Sequence, residues 1–195
     1  MQSISIDKLK EALESDTSIL DCRPTNDFAF SHVPNSISAS INGFYEYMAT
    51  CRFDKKKPLI VIAESGRESE AILRLDIEAF TNLSIFDFEK WKASDNRTSS
   101  IVRYSAKDAT VHLEKMKDVS SAEDWEVLHV KGVSSEPLLD LVANPDIISE
   151  GDVLYCAHGH KSMAAASFMA TKGVNVSDIM GGLSAMLVDA PDLEI

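Results

Sequence analysis

Cys156 stands where the apolar run Val153-Leu154-Tyr155 gives way to Ala157-His158-Gly159-His160-Lys161-Ser162 and then to a stretch of small residues. That order reads as strand, tight loop and helix. Loop N–H groups can then converge on the sulfur while the helix turns its positive end toward it, so an anionic sulfur adduct is favoured. Such a cysteine is placed to act as a nucleophile. Gly159 lets the loop turn where a side chain would crowd the sulfur. Lys161 offers a point charge to steer an anionic donor, and His158 and His160 offer hydrogen bonds and gain charge below neutral pH. A metal held by Cys156, His158 and His160 would have crowded Cys-x-His-x-His spacing and no evident fourth ligand, so neither metal nor cofactor is expected.

The elements that must carry this loop recur along the chain. Ile6, Leu9 and Leu13 have the spacing of a short amphipathic helix, with Asp7 in its first turn. Ile19-Leu20 reads as a buried strand, Phe44 to Met48 as part of a helix, and Leu59 to Ile62 as a continuous apolar strand. Glu68 to Phe80 reads as a helix with Ala71, Leu75 and Ala79 on one face. Ser94 to Ser100 is polar and reads as a linker. The pattern restarts near Ile101, with a helical stretch around His112 to Met116, a strand at Val127 to Val130, a helix at Leu138 to Val142 and the strand ending at Cys156. Strands alternating with helices predict an α/β fold in two domains, 1–97 and 98–195, each a central, mostly parallel sheet with helices on both faces.

The chain has 195 residues, 45% of them hydrophobic, enough for two small cores. A net charge of −12 argues against nucleic acid as a partner, because that affinity rests on clustered Lys and Arg; the single basic run, Lys55-Lys56-Lys57, reads as a solvated turn. Met1 to Lys10 has no apolar leader core and no stretch approaches eighteen apolar residues, so no membrane partner is expected and the location expected is cytoplasmic. Three cysteines without Cys-x-x-Cys spacing are expected to be reduced thiols, Cys22 as a packing residue and Cys51 as a weaker candidate still for chemistry.

Gly151 to Leu187 resembles the C-terminal half of a rhodanese domain. Cys156 falls on that family's persulfide-forming cysteine, Ala157 to Lys161 on the rest of its active-site loop, Gly173 on the glycine ending the next helix, and Gly181-Gly182 on the glycine pair before the last helix. A weaker copy lies upstream. Asp21, Arg23, His32, Val33 and Pro34 resemble the family's Asp-x-Arg turn and His-Ile-Pro stretch, and residues 57–80 repeat the strand-loop-helix unit with Ala63 in the nucleophile's place. In the second copy His129 and Lys131 are read at the Asp and Arg positions. The His-Ile-Pro-Gly stretch is read as missing, which makes that domain abbreviated.

The resemblance implies a tandem rhodanese with a degenerate first copy. Cys156 would take sulfane sulfur from a small donor anion such as thiosulfate, or from a persulfide. It would then pass that sulfur to a thiol or cyanide-type acceptor, or to a protein thiol. Phosphatases and arsenate reductases of the same fold carry an arginine six positions after the cysteine; Ser162 stands there, and Lys161, one residue earlier, lacks the bidentate fork. A non-catalytic or regulatory binding module is the remaining alternative, with Arg67 and Glu68 of the first copy as surface contacts.

Overall fold

The computed structural model describes residues 2–15 and 17–195; Met1 and Asp16 lie outside the described residues. The chain divides into two compact units, Met1–Ser100 and Ile101–Ile195.

The first unit runs β1 (Gln2–Ser3), α1 (Ile6–Leu13), β2 (Ser18–Asp21), α2 (Thr25–Phe30), β3 (Ile37–Ser38), α3 (Tyr45–Arg52), β4 (Leu59–Ile62), α4 (Glu68–Ile77), β5 (Leu83–Phe86) and α5 (Phe88–Lys92). Its sheet has the order β1-β5-β4-β2-β3, every pair parallel. The Ser5 hydroxyl accepts from the Lys8 N–H and starts α1, whose Leu9 is fully buried. All four residues of β4 are buried, as expected of a strand covered on both faces.

The second unit runs β6 (Arg103–Tyr104), α6 (Ala109–His112), β7 (Met116–Asp118), α7 (Ala122–Val127), β8 (Ser134–Ser135), α8 (Leu138–Ala143), β9 (Val153–Tyr155), α9 (His160–Thr171), β10 (Ser177–Ile179) and α10 (Gly182–Asp189). Its sheet order, β6-β10-β9-β7-β8, repeats that of the first unit, again all parallel. Helix α9 is buried from Ser162 to Met169, and its run of alanines lets it lie close against β9 and α8.

Pairing register makes the two units comparable residue by residue. Asp21 pairs with Ile62 in the first and Asp118 with Tyr155 in the second, so Asp118 answers to Asp21 and Cys156 to Ala63. This corrects the sequence reading of the second unit. Val127 to Val130 is not a strand: Val127 ends α7 and is 83% exposed, while the strand is Met116–Asp118. The Ser121 hydroxyl caps α7 by accepting from the Asp124 N–H. Nor is the His-x-x-Gly stretch missing. His129-Val130-Lys131-Gly132 corresponds to His32-Val33-Pro34-Asn35, with both valines fully buried and with Gly132 and Asn35 both in the left-handed region, at φ 82° and 63°. His129 stacks on Trp125 and lies 2.8 Å from its carbonyl oxygen, as His32 does with Phe28. The second unit has a counterpart for each strand and helix of the first; α6 is shorter than α1, while α9 and α10 are longer than α4 and α5.

Two helical boundaries also differ from expectation. Helix α4 stops at Ile77; Ala79 has φ 67° and is exposed, while Phe80 returns to the core. Met116 does not end a helix but opens β7, because its pairing with Val153 carries it into the sheet. No helix of the described residues is long and apolar enough to cross a membrane.

Burial holds the His32 imidazole at a pKa of about 4, below its ordinary 6.5. The folded first unit therefore refuses a proton that the unfolded chain accepts, so stability falls as pH drops from 6.5 toward 4. Thermal unfolding of the wild type against His32→Gln across that range should isolate a pH-dependent component on the order of 2–3 kcal/mol, present in the wild type alone.

Candidate active site

Strand β9 carries the chain to Cys156 at its C-terminal end, and the loop that follows folds back over the sulfur. The Gly159 N–H donates to Sγ at 3.2 Å and the Ser162 N–H at 3.4 Å. The second of these amides belongs to the first turn of α9, so the helix's positive end faces the sulfur. The Cys156 thiol is 3% exposed, and its S–H lies 3.8 Å from the Ser162 hydroxyl oxygen.

Two glycines set this geometry. Gly159 has φ 82°, and a Cβ there would meet both an Arg103 guanidinium nitrogen and the Gly181 backbone at 3.2 Å. Gly182 has φ 59°, and its Cβ would lie 2.0 Å from the Cys156 carbonyl oxygen. That close approach lets the start of α10 hold the loop: the Leu183 N–H donates to Cys156 O and the Ser184 N–H to Ala157 O, each at 2.9 Å.

Behind the sulfur lies a polar chain that local sequence does not reveal. The Ser162 hydroxyl donates to Asp178 Oδ2 at 3.2 Å, and Arg103 from β6 grips the same carboxylate through Nε at 2.8 Å and Nη2 at 2.9 Å. Asp178 is fully buried; burial raises its pKa above the ordinary carboxylate value, against the pull of Arg103 and Ser162. Arg103 and Asp178 are 75 residues apart and meet because β6 and β10 are paired in register. In the first unit the buried Arg–Asp pair sits elsewhere: Arg23 grips Asp21 with Nη2 at 2.7 Å, and its guanidinium lies 3.6 Å from the centre of the Phe88 ring. Ser120 takes the Arg23 position in the second unit, its N–H donating to Asp118 as that of Arg23 does to Asp21.

The charged groups of the loop are disposed differently from the sequence expectation. Lys161 Nζ is paired with Asp124 Oδ2 at 3.1 Å, so its charge is partly neutralised. Asp124 is correspondingly held below the ordinary carboxylate range, chiefly by Lys161. His158 is exposed, with Nδ1 3.4 Å from the Ser184 hydroxyl. Burial, followed by the nearby His158 and Arg103, lowers the His160 pKa, so His160 charges only further below neutral pH than a free histidine. Its Nδ1 is buried with no hydrogen-bond partner among the described residues. No group of three or more metal-ligating side chains occurs among the described residues.

The corresponding loop of the first unit has the same turn but different chemistry. Gly66 has φ 89°, yet its N–H donates to the Glu68 carboxylate at 2.9 Å. Arg67 is spent on Glu70 and Asn42. Of the other thiols, Cys22 is buried and pushed up to about 12 by that burial, and Cys51 is exposed on α3.

A family model of the rhodanese-like domain matches residues 5–94, which lie within the first unit. The copy read as the weaker resemblance is thus the one matched, and the matched residues hold Ala63 rather than Cys156. No curated protein matches the chain. Among solved structures, the rhodanese-like domain of an Anabaena sp. protein is 23% identical with a TM-score of 0.46, covering 52% of this chain and 80% of that one. A thiosulfate sulfurtransferase from Pseudomonas aeruginosa is 14% identical with a TM-score of 0.46, covering 100% of this chain but only 43% of its own. A rhodanese-related protein from Thermoplasma volcanium is 22% identical, with a TM-score of 0.41 and coverage of 44% and 90%.

Gly182→Ala is expected to lose more than about 2 kcal/mol in chemical denaturation, because its Cβ has no room. Gly173→Ala provides the contrast: φ is 79° but nothing lies within 4 Å of the added carbon, so the loss should be about 1 kcal/mol.

Proposed function

We propose that the chain is a tandem rhodanese-like sulfurtransferase, with a non-catalytic first domain and a second domain that carries sulfane sulfur on Cys156. The observation that supports this most is the pair of amides, Gly159 and Ser162, aimed at Sγ from a loop clamped by the glycine pair. Donors so fixed suit the Sγ thiolate that attacks the donor and is returned when the outer sulfur leaves.

The thiolate of Cys156 attacks the outer sulfur of a thiosulfate- or persulfide-type donor. The donor's S–S bond breaks, its remainder leaves with the electron pair, and a Cys156 persulfide forms. A thiolate acceptor then takes the outer sulfur and returns the Cys156 thiolate. Ala157, His158, His160 and Lys161 form the entrance to the loop, while Gly159 and Ser162 hold the sulfur. In the first domain Ala63 cannot form the intermediate, and Glu68 already occupies the amide that a sulfur anion would use.

Incubation with thiosulfate or a low-molecular-weight persulfide, followed by intact-mass measurement, should show the gain of one sulfur. Cys156→Ser should lose that gain entirely, and Ala63→Cys in that background should not restore it. A wild-type chain that gains no sulfur from any such donor would sink the enzymatic reading and favour the binding module.

A further inference from the structure

The walls beside the sulfur loop differ sharply between the two units, although they are built from corresponding positions. In the first unit a cavity of about 330 Å³ at Ala63 is lined by six charged side chains, among them Arg23 and Lys92, beside the rings of Phe30 and Phe88. In the second, a cavity of about 270 Å³ bordered by Ala157 and His158 is walled by Val127, Leu128, Leu183 and Leu187. Asp124 is the one carboxylate in that lining, and it is paired with Lys161. Leu187 is 50% exposed and Val127 83%, so the apolar wall is open to a ligand rather than closed into the core. An inorganic dianion gains nothing from four aliphatic side chains, and Lys161 of the same loop is already engaged with Asp124.

Resting on the sulfurtransferase reading, we infer that this cavity selects sulfur compounds whose substituent is an apolar ring, such as an aryl group, over inorganic thiosulfate and over donors with little apolar surface. For an aryl thiosulfonate the step balances as follows. The Cys156 thiolate attacks the terminal sulfur, the bond between the sulfonyl sulfur and the terminal sulfur breaks, and the aryl sulfinate leaves with the electron pair while the persulfide anion remains on the protein. The total charge is unchanged. Val127, Leu128, Leu183 and Leu187 hold the ring, and Asp124 tempers Lys161 so that a second negative charge is not favoured.

Methanethiosulfonate and benzenethiosulfonate share charge and leaving-group class and differ in the apolar group, so their ratio of kcat/KM isolates the wall. On the full chain that ratio should favour the benzene compound by about tenfold or more. In Val127→Gln/Leu187→Gln, both positions being half-exposed or more, it should fall to near unity with circular dichroism unchanged. Asp124→Asn should raise the use of thiosulfate several-fold. Independently of turnover, calorimetry on Cys156→Ser should show saturable binding of benzenesulfinate that the double substitution removes. A ratio near one in the wild type, or one unmoved by the double substitution, overturns the assignment, as does absence of sulfinate binding. Sulfinate binding without sulfur gain from any donor retains the apolar site and overturns the transfer reading instead.

Discussion

The contact between Gly182 and the Cys156 carbonyl is the constraint on which the site depends. A side chain at Gly182 would begin 2.0 Å from that oxygen, so only glycine lets α10 approach close enough for its first free N–H groups to hold the loop. With Cys156 O and Ala157 O tied down, the chain must reverse at Gly159, and that reversal aims the Gly159 and Ser162 amides inward at the sulfur. The glycine pair therefore positions the loop without touching the thiol side chain. The Arg103–Asp178–Ser162 chain supports the other side: it fixes the first turn of α9 from a strand pair whose partners come from opposite ends of the unit.

Set against each other by register, the two units show one architecture serving two electrostatic designs. The first places its buried arginine in the Asp21–Arg23 turn and fills its loop amide with its own carboxylate. The second moves the buried Arg–Asp pair to β6 and β10, leaves Ser120 at the turn, and keeps the loop amides for sulfur. A buried pair of this kind is costly to break from one side, because the partner left behind stays charged and dry. Each unit is accordingly committed to its arrangement.

Much of this was legible in the sequence wherever the signal was local. The run Val153-Leu154-Tyr155 before a glycine-containing loop and an alanine-rich helix identifies strand, turn and helix within a few residues, and α1 and β4 follow equally from spacing. The misplaced strand of the second unit has a physical reason. Val127-Leu128-His129-Val130 is more apolar and β-branched than Met116-Lys117-Asp118, yet the sheet takes the shorter, more polar segment because its register partners on β9 are fixed. Ser121 followed by Asp124, a capping pattern at the start of α7, was the signal that could have corrected it. Arg103 and Asp178 had no such signal: nothing near either residue announces a partner 75 positions away.

The central claim is that the Gly159 and Ser162 amides hold the Cys156 sulfur and respond when it is loaded. Backbone amide NMR of the full chain before and after loading with a sulfane donor tests it directly. The account predicts that the two largest changes in amide proton shift fall on Gly159 and Ser162, while Gly66 in the corresponding loop of the first unit stays unmoved. Sulfur loading that leaves those two amides unchanged would contradict it.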